Sequence, residues 1–217
     1  MAATLASVDP ESSFIDAQLG AEWSVLESSF KWHASCRDTH PSVDALIALM
    51  EEEKIKFDDI ESTTAYTYKA AIKVLSLSAS AETVYQSKFS TEFVLAVAAK
   101  NGPAKIRNFT EDALSDSELR TMWKRVTMVL DPKTDAVFPA KWLGRVTVST
   151  KEGRTVNKNV DVVKGDPGWT LTKSEIEGKA FSLVRYGHVQ DLGLFEATIQ
   201  IIWNLEADKE TRGFVFS

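Results

Sequence analysis

An α+β fold is predicted for this 217-residue chain from three features of its sequence. Residues 60–68, IESTTAYTY, alternate and are rich in Thr and Tyr, the pattern of a half-buried strand. Residues 145–150 and 155–163 also alternate, on either side of Lys151-Glu152-Gly153-Arg154, which marks a hairpin whose glycine takes the positive φ. Around these strands, apolar residues recur at helical spacing. Helices packed on an antiparallel sheet follow.

Taken in order, residues 1–28 read as a loose N-terminal arm, small and polar, broken at Asp9-Pro10, with Phe14, Ile15 and Leu19 placed to dock one helical turn. Residues 29–166 make the α+β domain, and 167–217 a helical C-terminal segment. From Lys31 the chain is expected to run extended to Cys36. The first helix is predicted over Pro41 to Glu53: Pro41 suits a first turn capped by Thr39 or His40, and Val43, Leu46, Ile47 and Met50 share one face. In the strand that follows, Thr64, Tyr66 and Tyr68 lie on one side, and the state of Lys69 to Ser78 stays open.

A helix is predicted over Val84 to Ala99, apolar all round from Phe93 and so buried, and stopped by Asn101-Gly102-Pro103. Ser115 with Glu118 forms a capping box for a helix carrying Leu119, Met122, Trp123 and Val126, and a strand runs from Val126 to Leu130. Lys164 to Gly168 is a loop. Thr172 with Glu175 caps a helix that buries Ile176, Ala180, Leu183 and Val184. The last helix, Val189 to Ala207, carries Leu192, Phe195, Ile199, Ile202 and Trp203, enough apolar surface to dock on a partner or on a second copy.

Composition narrows the function. With a net charge of -6, a pI near 5.2 and a mean hydropathy of -0.15, the chain offers no global basic field for nucleic acid or anionic lipid. No apolar run reaches a membrane span, so no membrane partner is expected. Cys36 is the single cysteine, which suits a reducing compartment. The first sixteen residues hold no Lys or Arg and carry Asp9, Glu11 and Asp16, unlike a secretory or transit leader; a cytoplasmic protein is expected.

Against that acidic background Lys31, His33, Arg37 and His40 fall within ten residues, directly before a helix N-terminus. Cations and free N–H groups together favour a bound carboxylate or phosphate, so this turn is the candidate anion site. The alternative is a solvated basic loop in front of a core helix. His33-x-x-Cys36-x-x-x-His40 lacks a fourth donor, with only His188 elsewhere, and no metal is assigned. Lys31, Arg37 and the helix end would lower the Cys36 pKa, but no sequence context for a cysteine nucleophile accompanies it, and a packed thiol explains it as well. Gly165-Asp166-Pro167-Gly168 lacks the Walker ending, and neither a Ser-His-Asp elbow nor a dinucleotide fingerprint appears; no cofactor is assigned.

Four segments in order, FKWHASCRDTHPSVDAL, KFSTEFVLAVAAKNG, VLDPKTDAVFPAKWLGRVTVSTKEGRT and VKGDPGWTLTKSEIEGK, resemble the C-terminal half of the MmgE/PrpD family over Phe30 to Val184. The resemblance implies a cofactor-free enzyme acting on small polycarboxylates, as 2-methylcitrate dehydratase and cis-aconitate decarboxylase do. It also implies the smaller α+β lid of a two-domain protein whose active site lies against a large all-helical domain. Lys31 falls on the lid lysine that faces substrate, Cys36 on a position that carries a catalytic histidine in the decarboxylase branch and Cys in others, and Thr39-His40 on the Thr-His that begins the lid helix. Phe93 replaces a family tyrosine, and Trp169 an asparagine.

The expected reading is a lyase-type protein. Lys31, Arg37, Cys36 and Thr39 bind a small carboxylate substrate. His40, His33 and Lys31 are the catalytic candidates, with His33 or His40 as the base that moves the proton α to a carboxylate and Lys31 holding the carboxylate. The helical half comes from a separate chain, or a homodimer forms. A stand-alone lid recruited as an isomerase or cyclase, or as a non-catalytic binding protein in a biosynthetic pathway, is the alternative.

Overall fold

The computed structural model describes residues 20–21, 23–76 and 80–205. The N-terminal docking turn expected at Phe14, Ile15 and Leu19 lies outside them. Four strands, β1 (Ile60–Thr67), β2 (Val126–Leu130), β3 (Gly144–Thr150) and β4 (Thr155–Val160), form one sheet in the order β2-β1-β3-β4. β1 pairs β2 in parallel and β3 antiparallel, and β3 and β4 form the expected hairpin, turning at Gly153 with φ 84°. The architecture is α+β as predicted.

One face of the sheet is covered by helices. α1 (His40–Glu53) lies along β3 and β4; α4 (Thr91–Asn101) packs against α1, β2 and α6 (Ser117–Trp123). Val43, Leu46 and Leu49 of α1 meet Phe93 to Ala99 of α4 and Ala65, Val146 and Val148 of the sheet in one core. Burial of a side chain of that size stabilises by about 1.5–3 kcal/mol, so this stripe sets the position of the α1 N-terminus. Gly144 lets α1 approach: a Cβ there would sit 2.5 Å from Pro41.

Local chemistry explains where the elements differ from expectation. The helix predicted over Val84 to Ala99 is two, α3 (Val84–Ser87) and α4, because Thr83 and Gln86 close a capping box on the first while Ser90 Oγ accepts the Phe93 N–H of the second. Asp116, not Ser115, caps α6, its carboxylate accepting from the N–H groups of Glu118 and Leu119 at 2.8 and 3.0 Å; Ser115 ends the preceding α5 (Glu111–Ser115). A carboxylate outcompetes a hydroxyl for two orphan donors and the helix dipole. In β1 the core-facing residues are Thr63, Ala65 and Thr67, while Tyr68 leaves the strand and is fully buried just before α2 (Lys69–Leu75).

α7 (Pro132–Val137) follows β2. The capping box of Thr172 and Glu175 opens α8 (Lys173–Tyr186) as expected, but no residue of that helix is buried, and Leu183 is exposed. α9 is shorter than predicted, Leu192–Trp203 after an Asp191 cap, with Ile199 its one buried residue. Their apolar faces meet each other, Phe181 edge-on to Phe195 at 5.1 Å, rather than the core.

Candidate functional site

The segment before α1 is tied to three separate parts of the chain through its backbone. The N–H groups of Phe30, Ala34 and Cys36 donate to the carbonyls of Gly165, Ala104 and Lys88 at 2.8, 2.7 and 2.7 Å. Lys179 of α8 donates to the Trp32 carbonyl at 3.0 Å. Gly165 is required here: its φ is +98°, and a Cβ would collide with the Phe30 carbonyl. Loop 164–168, which the sequence shows as a turn, is therefore the seat of the basic segment.

Within this frame the predicted site residues separate. His33 is sealed: its Nε2 bonds Asp44 Oδ1 at 2.8 Å, its Nδ1 accepts from the Ala104 N–H at 3.3 Å, and the other Asp44 oxygen accepts from the Lys164 N–H at 2.8 Å. Ala104 donates to Nδ1 and Nε2 bonds Asp44, so both ring nitrogens of His33 are engaged within the fold. His40 is equally buried and lies edge-on to His33 at 4.9 Å. Arg37 Nη1 donates to His40 Nδ1 at 3.2 Å, and His40 Nε2 has no partner among the described residues. Burial, then the neighbouring His33, Arg37 and Lys31, push the His40 pKa down to about 2, so it is neutral and a very weak base at working pH.

Arg37 is likewise engaged. Its other nitrogen is paired with Asp166, and its guanidinium lies 5.5 Å from the Trp142 ring. The Asp166 carboxylate occupies the place expected for a substrate carboxylate, and this is a correction to Arg37 as a free clamp. Thr39 gives no cap to α1; its hydroxyl donates to the Cys36 carbonyl and is bonded to Ser35, both at 2.8 Å, which closes the turn. Of the two readings of Cys36, the packed thiol fits and the activated thiolate does not. Half-buried Cys36 points its thiol at Asp38 Oδ2, 3.6 Å away, and burial, with the Asp38 carboxylate adding to it, raises its pKa despite the opposing Asp38 N–H. His33, Cys36 and His40 thus face separate partners, and among the described residues no group of three His, Cys, Asp or Glu side chains is placed to hold a metal ion.

Lys31 alone is exposed, with no hydrogen bond or ion pair among the described residues. Asp38, beside Cys36, belongs to a network that sequence reasoning missed. Tyr68 donates to Asp38 Oδ1 at 2.5 Å, is stacked on Phe138 with centroids 3.9 Å apart, and meets Trp142 edge-on at 5.8 Å. Burial first, and Asp38 next, raise the Tyr68 pKa, so the phenol stays protonated. Asp38 was visible as a neighbour of Arg37; the alternation that placed Tyr68 on a strand face concealed it. The family position Phe93 packs in the core on Phe109 and Trp123, with no polar partner. The turn presents one exposed ammonium, Lys31, while both of its imidazoles are buried.

Compared with protein families, residues 33–204 match the MmgE/PrpD C-terminal domain. No curated protein matches the chain.

Proposed function

Because the chain belongs to the MmgE/PrpD family, we propose that it serves as the lid of a cofactor-free lyase acting on a small polycarboxylate. Lys31 grips a substrate carboxylate, and an all-helical domain packed on the lid supplies the groups that move the α proton. The observation that carries this reading is the contrast within the turn. Lys31 is exposed and unpaired among the described residues, while His33, Arg37 and His40 are consumed by Asp44, Asp166 and burial. A dehydratase or decarboxylase must hold the carbanion-like charge that develops next to a carboxylate, which a fixed ammonium does, and needs a base titrating near the working pH. The lid supplies the first and withholds the second.

Arg37, Thr39, Cys36 and His33 then act as positioning residues that hold Lys31 in place. Exposed Trp23, Val25, Leu26 and Phe30, immediately before it, give a helical domain an apolar surface to cover. The test follows consumption of 2-methylcitrate and of cis-aconitate by proton NMR, with the purified chain alone and mixed with an all-helical MmgE/PrpD domain. Turnover only in the mixture is expected. Turnover by the chain alone would contradict the division of labour, and none in either case would favour the recruited, non-catalytic lid.

A further inference from the structure

A cleft of about 180 Å³ lies between α8 and the short 3-10 turn Ile106–Asn108, lined by Trp32, Ile106, Gly178 and Leu183 together with the charged Lys105 and Lys179. We propose that this cleft is a second anion site, taking a small carboxylate with an apolar arm. The carboxylate lies between Lys105 and Lys179, and the arm runs along Trp32, Ile106 and Leu183. It requires neither Lys31 as a ligand nor an all-helical domain.

The charges point to a ligand. Lys179 is half-buried, and its ammonium, with three N–H donors, has one acceptor among the described residues, the Trp32 carbonyl at 3.0 Å. Burial first, then the charges of Lys31 and Lys105, lower its pKa, the signature of cations gathered without a counter-charge. The carboxylate in the lining, Glu175, does not supply it. Lys164 holds one Glu175 oxygen at 2.7 Å, and the Thr172 N–H and hydroxyl hold the other at 2.8 and 2.9 Å. A half-buried, under-satisfied ammonium gains most from a desolvated, charge-assisted hydrogen bond. Aromatic and aliphatic walls beside that charge select an anion with an apolar portion over inorganic phosphate or acetate. Gly178 puts no side chain into the lining, and a Cβ there would meet nothing within 4 Å.

The experiment titrates the 15N-labelled chain with hexanoate, following the Gly178 amide and the Trp32 indole N–H. Saturable shifts with a Kd on the order of millimolar are expected, as for a ligand of this size. Acetate should bind more weakly and neutral hexanamide not at all. Lys105→Gln, at an exposed side chain, should weaken hexanoate about tenfold. Gly178→Leu should abolish binding with an unchanged circular dichroism spectrum, and Lys31→Ala should keep the saturable shifts. Any of three results would overturn the proposal: no saturation by hexanoate, equal binding of hexanamide, or undiminished binding to Gly178→Leu. Loss of binding in Lys31→Ala would do so too, by assigning the anion to the Lys31 turn.

Discussion

His40 couples the turn to pH. Folded His40 takes up a proton only near pH 2, whereas the unfolded chain does so near the ordinary 6.5, so between those values the unfolded state binds more protons. The stability that neutral His40 contributes is therefore complete above pH 6.5 and is lost as pH falls below it, at most about 1.4 kcal/mol per pH unit. Asp116, held below its ordinary 3.8 first by its bond to Lys100, contributes stability lost only at more acid pH, so the two are separable. Urea denaturation midpoints measured below pH 6.5 should fall less steeply for His40→Gln than for the wild type; parallel curves would mean that His40 does not titrate as described. Cys36 gives the second residue-scale expectation. With its pKa raised by burial and by Asp38, it should react slowly with iodoacetamide at neutral pH, and Asp38→Asn, which removes the neighbouring charge, should speed the reaction. Unchanged alkylation in Asp38→Asn would contradict this.

At the scale of elements, glycines decide what the Lys31 segment rests on. Gly165→Ala meets both a positive φ and the Phe30 carbonyl, and should cost about 1–3 kcal/mol. Gly178→Ala, mid-helix with open space around it, should instead stabilise by about 0.5–1 kcal/mol. Opposite shifts in the urea midpoint would show that the close approach at loop 164–168 requires glycine and that position 178 in α8 does not. Much of this layer was legible. The alternation of Val146 and Val148, the all-apolar run of Phe93 to Ala99 and the Thr172–Glu175 box each state a local rule that the fold obeys. Partners distant in sequence were not legible. Nothing near Arg37 announces that Asp166 will neutralise it, and nothing near His33 announces the Ala104 N–H. Sequence gave the types of the charged residues in the turn; only tertiary packing decides which of them keep a free charge.

For the whole molecule, α8 and α9 depart most from an isolated globular domain. Leu194, Ile202 and Trp203 are exposed, as are Trp23, Val25 and Leu26 at the other end of the described chain. The periodicity of α8 predicts burial of Ile176, Ala180, Leu183 and Val184, but α1 and α4 already fill the space against the sheet, and no residue of α8 is buried. Surfaces of this kind fit the proposal of a lid that works against a second domain, with Lys31 as the group proposed to reach substrate. The decisive comparison is kcat/KM for 2-methylcitrate or cis-aconitate, with the chain mixed with an all-helical domain, in wild type and Lys31→Ala, alongside the melting temperature of each. A loss of about tenfold to a hundredfold with an unchanged Tm is expected, as when one charged contact to the reacting acid is removed. Undiminished kcat/KM in Lys31→Ala would contradict the account.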